Sequence, residues 1–494
     1  MTRIPLLADS RVVVVEPGPD DTVLRPPAPR EALADVPAAV RDALRFPLSG
    51  PPLDAVTGRG GTATVVIEQP ALPIPGVPHG PRHAAVVAAV DELERLGVET
   101  VTIVVAGGLS RRSGPRELGQ LFPPEFRRRF RGRVVVHDVE DDLVDLGESG
   151  TVPLRVNRAL VETDLVLTVT AAETVLHGGP SALLAAGGRE ALRSASALSL
   201  LEPSSAPGWR LAVDQERLLA ARVPVAGISL ALNLPRVAGV FSGYPQDQEA
   251  IERMLRSRPR RVLQLAPAGV RRRLLERLPR EQTAVAAYGG PPSVAHTEAL
   301  LRATLFRAAE VPEPFDAIVV GIPATTPTMP REQPNAVSAA YLGLGHALRL
   351  WRNAPPLRRG GTAILLTPLP RRFPRPTQTP YRALFAEPHT TRDLDTLHAA
   401  ERAAVDERTV AAYRSGQTCH PLLPFAEWSV CDVATERLGA VVVAGCRDSQ
   451  TARQIGFVPA HNLATALEMA RGRGAQRIGW LLSPPYFPLV GPED

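Results

Sequence analysis

The chain has 494 residues, more than one compact core usually contains, so its length predicts two domains. Its composition, 44% hydrophobic and 22% charged, is typical of a soluble globular protein. No apolar stretch approaches the roughly 20 residues of a membrane helix, so we expect no membrane span. The apolar run near the N-terminus has no cleavage pattern and is interpreted as a first strand, not a signal peptide.

The cysteines are few. Cys419, Cys431 and Cys446 are too scattered for a disulfide framework and lack the paired spacing of a zinc site. They predict a protein of the reducing cytoplasm.

The net charge of +5 comes from an unusual composition, because all 56 basic residues are arginines and no lysine is present. This excludes a Schiff-base lysine, a Walker lysine and a lysine that tethers a cofactor. The arginine runs at 127–133 and 271–273 are possible nucleic-acid patches. Neither is accompanied by a recognition helix or stacking aromatics, so solvated surfaces are favoured and a nucleic-acid partner is not expected.

The first half of the chain alternates strands with helices. Two β-branched runs enclose a segment with helical spacing that ends at Gly97, a strand–helix–strand unit that implies parallel strands. The predicted elements, in order, are a strand at 62–68, a helix at 83–97, strands at 100–106 and 133–137, a helix at 154–163, a strand at 164–170 and helical structure over 181–202.

The second half repeats this alternation. Its predicted elements are a strand at 316–321, helical structure over 336–352, strands at 362–367 and 440–444, a helix at 464–473 and a strand at 477–482. The fold class is therefore α/β, with two mainly parallel domains, 1–270 and 271–494, and a cleft between them. Residues 368–427 are rich in proline and arginine, and we expect this excursion to cover the cleft.

Several segments, in a fixed order, resemble the nickel-pincer lactate racemase family. The resemblance extends over most of the chain and is looser in the second half. It is carried by residues 46–53 (FPLSGPPL), 67–75 (IEQPALPIP), 106–118 (AGGLSRRSGPREL), 137–147 (HDVEDDLVDLG), 156–168 (VNRALVETDLVLT), 227–243 (GISLALNLPRVAGVFSG) and 456–478.

The resemblance implies a two-domain fold and a racemase or epimerase of 2-hydroxy acids, an isomerase. In that family the domains enclose a nickel ion, which is held by a nucleotide-derived pincer tethered to a lysine. A histidine ligates the nickel, and two others alternate as acid and base at the substrate Cα. Hydride transfer to the cofactor and back inverts the substrate.

The sequence departs from the family at the catalytic motifs. Ser110 stands where a catalytic histidine is expected, and a serine hydroxyl is a poor base near neutral pH. Arg111 keeps the family's arginine, either as an anion clamp or as a surface residue. At the preceding strand end, Gln69 and Leu72 replace an Asp and an Arg. Glu68 lies nearby but, one position along a strand, is expected on the opposite face.

The cofactor-attachment segment departs further. Glu173 matches the family's glutamate, but Val175 replaces its histidine; His177, two positions later, is the candidate base and the one candidate nickel ligand. The lysine position falls near Ala185. Residues 189–199 contain serines where a nickel-ligand histidine is expected, and serine does not suit nickel. The cofactor is therefore unknown, and a nickel pincer cannot be lysine-tethered here.

Three further residues are candidates. His137 and Asp138 survive from the family's His-Asp segment as a catalytic histidine with an anion-binding partner, or as a loop cap beside a packed histidine. His346 lies near a family lysine and is either an anion-binding residue or an ordinary helical histidine.

These residues leave several functions open. The first is a racemase or epimerase that binds a hydroxy acid or another small anion. The second is a non-catalytic or repurposed protein that binds a small anion, a nucleotide or a protein partner in the same cleft. A third is a different reaction with a noncovalent cofactor and His177 or His346 as base. Losing several members of a cooperating site favours the second, and the oligomeric state is left open.

Overall fold

The computed structural model describes residues 3–69, 80–278, 280–324, 332–369, 371, 373, 375–386, 393–484 and 486–493. Its strands are β1 Ile4–Ala8, β2 Arg11–Val15, β3 Thr22–Leu24, β4 Thr62–Glu68, β5 Thr100–Ala106, β6 Arg133–Val136, β7 Leu143–Ser149, β8 Val152–Asn157, β9 Leu165–Ala171, β10 Val225–Leu232, β11 Arg236–Val237, β12 Arg280–Glu281, β13 Ala284–Gly290, β14 Ala309–Glu310, β15 Phe315–Gly321, β16 Trp351–Arg352, β17 Leu357–Leu366, β18 Ala440–Ala444, β19 Val458–Ala460, β20 Ile478–Leu481 and β21 Leu489–Val490.

The helices separate most of these strands. They are α1 Val36–Arg45, α2 Leu53–Val56, α3 Pro81–Arg95, α4 Pro115–Leu121, α5 Pro124–Arg129, α6 Pro180–Ala185, α7 Arg189–Ser194, α8 Pro207–Ala220, α9 Gln248–Arg256, α10 Arg258–Leu265, α11 Ala268–Glu276, α12 Pro292–Arg307, α13 Ala336–Ala340, α14 Thr379–Leu384, α15 Leu394–Ala404, α16 Glu407–Arg414, α17 Leu423–Thr435, α18 Ser449–Gln454 and α19 Leu463–Gly472. A π-helical turn, Tyr341–His346, continues α13. Among the described residues, no helix is both long and apolar enough to cross a membrane.

Two six-stranded sheets organise the chain, as the α/β prediction requires. The first has the order β13-β10-β9-β4-β5-β6, in which only the β10–β13 pair is antiparallel. The second, β19-β18-β17-β15-β20-β3, is parallel throughout. The carboxyl ends of parallel strands share one edge, where open α/β sheets usually bind ligands.

The predicted division at residue 270 does not coincide with the division between the sheets. Strand β13 lies after that boundary, yet it pairs with β10 of the first sheet. Strand β3 lies near the N-terminus, yet it pairs with β20 of the second. Backbone pairing at sheet edges joins segments that are distant in sequence, so composition alone does not locate the crossing points.

Buried side chains of the two halves pack together. One cluster combines Val175 and Trp209 from the first half with Phe315 and Leu365 from the second. Each sheet also has a separate core of valine, leucine, isoleucine and alanine. The shared cluster holds the carboxyl edge of the first sheet against elements of the second half.

Three predicted elements were wrong. Residues 154–163 do not form a helix: they include the end of β8, which pairs along its length with the hairpin strand β7, and a short 3-10 turn follows. Helical structure over 181–202 is broken at Gly187 and Gly188 into α6 and α7. The N-terminal segment forms a hairpin, β1 and β2, not one strand. The described part of the 368–427 excursion is largely helical, with α14, α15 and α16.

Candidate functional site

Four ionisable residues meet at the carboxyl edge of the first sheet. Glu68 ends β4, and Glu173 lies two residues beyond the end of β9. His177 lies in the loop after Glu173, close to its carboxylate. Arg82 belongs to the first turn of α3. Together with His346, described below, they are called the Glu173 site.

Glycines allow the tight turn of the loop that contains His177. Gly178 has a φ of +94°, a left-handed conformation that side chains rarely adopt. A Cβ there would lie 2.5 Å from Cε1 of His296. His296 is buried, with Nε2 3.0 Å from Thr174 O and Nδ1 3.2 Å from Ser229 Oγ. His296 therefore packs against the loop and is hydrogen-bonded to it through Thr174 O.

His177 lies between two carboxylates. Its Nε2 donates to Gln69 O at 2.5 Å, which leaves Nδ1 facing the acids. Nδ1 is 3.4 Å from Glu173 Oε2 and 3.9 Å from Glu68 Oε2. Both contacts are ion-pair distances without hydrogen-bond geometry. Glu173 also forms an ion pair with Arg82.

The two carboxylates differ in their partners. Glu173 is paired with a guanidinium, whereas Glu68 accepts a backbone hydrogen bond from Gly178 N at 2.8 Å. Burial raises the pKa of Glu68, although the charge of His177 acts against this rise. Glu68 therefore holds its proton to a higher pH than an ordinary carboxyl group.

The second half of the chain contributes His346, the last residue of the π-helical turn. π-Helical turns are frequent at functional sites. The imidazole is 2% exposed and packs between Tyr341 and Tyr486, with ring centroids at 6.4 and 6.0 Å. Burial lowers the pKa of His346 to about 4, and the charge of Glu173 opposes this shift. His346 is therefore a neutral imidazole within electrostatic reach of Glu173.

Three buried nitrogens of the site have no hydrogen-bond partner: Arg82 Nε, His177 Nδ1 and His346 Nε2. Buried polar atoms are nearly always paired, and an unpaired one costs about 1–3 kcal/mol. They come from three separate elements; Arg82 and His177 contact Glu173 directly, and His346 lies within electrostatic range of it. Such a group can receive a small polar ligand.

The other predicted site residues have different neighbours. His137 is buried, with Nε2 2.8 Å from Gly187 O and Nδ1 3.3 Å from Asn157 Nδ2. Burial lowers its pKa to about 4. Asp138 pairs with Arg112 and Arg414 at 3.4 and 3.2 Å.

Ser110 and Arg111 lie in the turn after β5. Ser110 N donates to Gly107 O at 3.0 Å, and the side chain is half-buried. Arg111 pairs with Glu117 at 2.6 Å and donates to Gly416 O at 3.3 Å. The structure thus places His177 beside Glu173 and His346 within electrostatic range of it, whereas Arg111, His137 and Asp138 contact other partners. Their proposed roles stay predictions.

The residues present do not fit a tethered nickel pincer. Ala185, at the position that the resemblance assigns to the lysine, ends α6, and its methyl group cannot form a covalent link. In the part of the chain that the structure describes, no three His, Cys, Asp or Glu side chains are grouped to hold a metal ion. No step through nickel follows from this arrangement.

Part of the chain matches a known domain. Residues 12–179 match the model of the lactate racemase N-terminal domain. This matched segment, about a third of the chain, is similar to a lactate racemase N-terminal domain. The match includes Glu68, Arg82, Glu173 and His177 of the site, but it ends before His346. No curated protein matches the sequence.

Solved structures share the fold of this chain. It resembles the lactate racemase apoprotein from Thermoanaerobacterium thermosaccharolyticum with a TM-score of 0.62 and 14% identity, over 99% of this chain and 100% of that one. It also resembles a protein from Thermotoga maritima with a TM-score of 0.51 and 11% identity, over 92% and 97% of the two chains. At these identities the likeness confirms the predicted α/β fold, and nothing finer.

Sequence reasoning missed two members of the site. Glu68 was expected on the opposite face of its strand; as the last strand residue, it instead reaches over the sheet edge to His177. Arg82 was not among the predicted site residues. Its sequence position could have indicated it, because a helix that follows a parallel strand begins near the carboxyl edge of the sheet. Leu72, expected at an arginine position, lies outside the described residues.

Proposed function

We propose that this lactate racemase-like protein binds a small hydroxy acid, or a similar polar molecule, at the Glu173 site and does not racemise it through a nickel pincer. The three unpartnered nitrogens are the observation that carries the proposal. A hydroxy acid offers a carboxylate oxygen to Arg82 Nε and a hydroxyl to His346 Nε2. Binding would satisfy atoms that otherwise remain unpaired.

The charge of the site limits the ligand. Arg82 already pairs with Glu173, and Glu68 is the second acid, so the site has no clear excess of positive charge. This supports a ligand with one negative charge and further polar groups rather than a polyanion such as a nucleotide.

Racemisation by the family's route lacks support in this sequence. The chain has no lysine, and Ser110 replaces a catalytic histidine. Members of a catalytic unit act together, so activity collapses when several are lost.

The first test is co-expression with the pincer biosynthesis proteins, followed by nickel analysis, intact mass and a chiral lactate assay. We expect no stoichiometric nickel, an unmodified mass and no racemisation. Stoichiometric nickel with lactate racemisation would overturn the proposal.

Calorimetric titration with L- and D-lactate tests the binding itself. We expect saturable binding that His346→Gln weakens about tenfold, the loss of roughly one well-placed hydrogen bond. His461→Gln is the matched control, because His461 is an exposed histidine. Binding that is absent, or that both variants leave unchanged, would contradict a site at His346.

A second candidate is a racemase or epimerase that uses no tethered cofactor. It is favoured by the interaction of both His177 and His346 with Glu173, which provides two imidazoles at one site. Two such groups are what acid–base chemistry on opposite faces of a carbon needs. Turnover of a hydroxy acid in the nickel-free protein, lost in His177→Gln, would establish this alternative.

We also propose a cytoplasmic location. Cys419, Cys431 and Cys446 are all free thiols, as expected in a reducing compartment. Cell fractionation tests this.

A further inference from the structure

A cavity of about 120 Å³ lies away from the Glu173 site. It opens between the N-terminal hairpin, the helices α9 and α11, and the carboxyl edge of the second sheet. Pro323 follows β15 and Pro484 follows β20 in its wall. Carboxyl edges of open α/β sheets are common ligand sites.

Its wall is mainly apolar. Leu6, Val12, Phe241, Met254 and Leu275 are among the lining residues. An engineered apolar cavity of about 150 Å³ binds benzene. The volume therefore suits a short aliphatic or aromatic group.

One arginine in this wall has unused hydrogen-bonding capacity. Arg272 Nε is buried and has no partner. Its one ion pair with a described residue is with Asp9, where Nη2 lies 3.8 Å from Oδ1, beyond a hydrogen bond. Asp9 already accepts hydrogen bonds from Ser10 and Gln333. The guanidinium of Arg272 can therefore donate to an anionic group at the cavity.

The surrounding segment is strongly basic. Residues 248–277, which form α9 to α11, contain nine arginines and three glutamates, a net charge of +6 against +5 for the whole chain. The lining itself balances Arg272 and Arg280 with Asp9 and Glu276, so the excess positive charge lies in the surrounding helices and attracts anions to this face of the molecule.

We infer that the cavity binds an anionic amphiphile, with a short apolar body against Leu275 and Met254 and a carboxylate or phosphate head at Arg272. The described lining shares no residue with the Glu173 site. The inference therefore stands independently of the proposed hydroxy-acid function.

Octanoate is the probe, measured by calorimetry or ligand-observed NMR on the full chain, with 1-octanol and octylamine as head-group controls. We expect saturable octanoate binding and weaker binding of both controls. Arg272→Gln should weaken octanoate binding about tenfold or more, the usual effect of losing a charge-assisted hydrogen bond. Leu275→Trp, which fills the cavity, should weaken it similarly.

Arg273→Gln is the matched control, because it removes the same charge from an exposed neighbour that does not line the cavity. Its affinity should stay within about twofold of the parent. Equal losses in Arg272→Gln and Arg273→Gln, or no saturable binding, would overturn the inference. Lactate should not compete with octanoate.

A lipid surface is the alternative source of the same chemistry, since Val262 and Leu265 of α10 are exposed beside these arginines. Phosphatidylglycerol vesicles test it by co-sedimentation. Vesicle binding without monomeric octanoate binding would also overturn the cavity site.

Discussion

Two groups of ionisable residues lie beyond strand ends of the first sheet, and they use their polar atoms differently. The Glu173 site keeps three buried nitrogens unpartnered. The second group, here called the Glu140 joint, consists of Asp138, Glu140, Arg189, Arg414 and His420. Arg414 and His420 of the excursion pair with Asp138 and Glu140, and Glu140 also pairs with Arg189.

The Glu140 joint is a connection between distant segments. His420 Nε2 lies 2.8 Å from Glu140 Oε1, and Arg189 Nη1 donates to both oxygens of Glu140 at 3.0 Å. Burial acts to raise the pKa of Glu140, but the His420 hydrogen bond and the Arg189 charge hold it below its ordinary value. Conspicuous acids and histidines at a sheet edge can thus be structural, whereas unpaired atoms indicate a ligand site.

Removing Glu173 should have the largest effect. The carboxylate is almost fully buried, and Glu173→Gln leaves Arg82 without its pair. We expect a loss of about 3–5 kcal/mol in the free energy of unfolding, measured by urea denaturation. Glu190→Gln, at an acid whose side chain is 35% exposed, is the control and should cost less than about 1 kcal/mol. Equal costs would show that burial does not distinguish the Glu173 pair.

Acid should lower the free energy of unfolding through protonation of His346. Its folded pKa of about 4 lies below the ordinary 6.5, so between these values the unfolded chain binds the extra proton and stability falls as pH falls. From pH 7 to pH 5 this contribution is about 2 kcal/mol. His346→Gln should lose that much less stability than the parent over this range. Parallel pH profiles in urea denaturation would refute the assignment.

His420→Ala tests the joint. His420 is fully buried, and its loss leaves one hydrogen bond of Glu140 unmade, so we expect a cost of about 1–3 kcal/mol. Limited proteolysis should also cut the excursion faster. His398→Ala, at an exposed histidine of the same excursion, should match the parent. No difference between the variants would mean that His420 does not hold the joint.

Arg414→Ala should have the smallest effect. Arg414 is about half exposed and bridges Asp138 and Asp141 at the surface of the joint. Such pairs contribute less than about 1 kcal/mol, and salt screens them. The cost measured at low salt should shrink in 1 M NaCl. A cost above that of His420→Ala would reverse the proposed order within the joint.

Much of the fold could be predicted because the signals are local. The runs TVTIVVA and TAILLT are β-branched or aliphatic and lie between helical segments, and both form central parallel strands. The helix predicted over residues 154–163 was wrong because apolar and polar residues of β8 alternate only over a short span. Pairing with its hairpin partner β7, not its own composition, makes this segment a strand.

The sequence by itself determined the α/β class, the resemblance to lactate racemases and the absence of any lysine. Each depends on residue identity or local periodicity. Only the tertiary structure decided that Glu68 lies beside His177, that Arg82 pairs with Glu173 and that Arg414 pairs with Asp138. It also places His346 within electrostatic range of Glu173. These relations link residues separated by up to hundreds of positions, and burial, which sets the charge state of each group, exists only after folding.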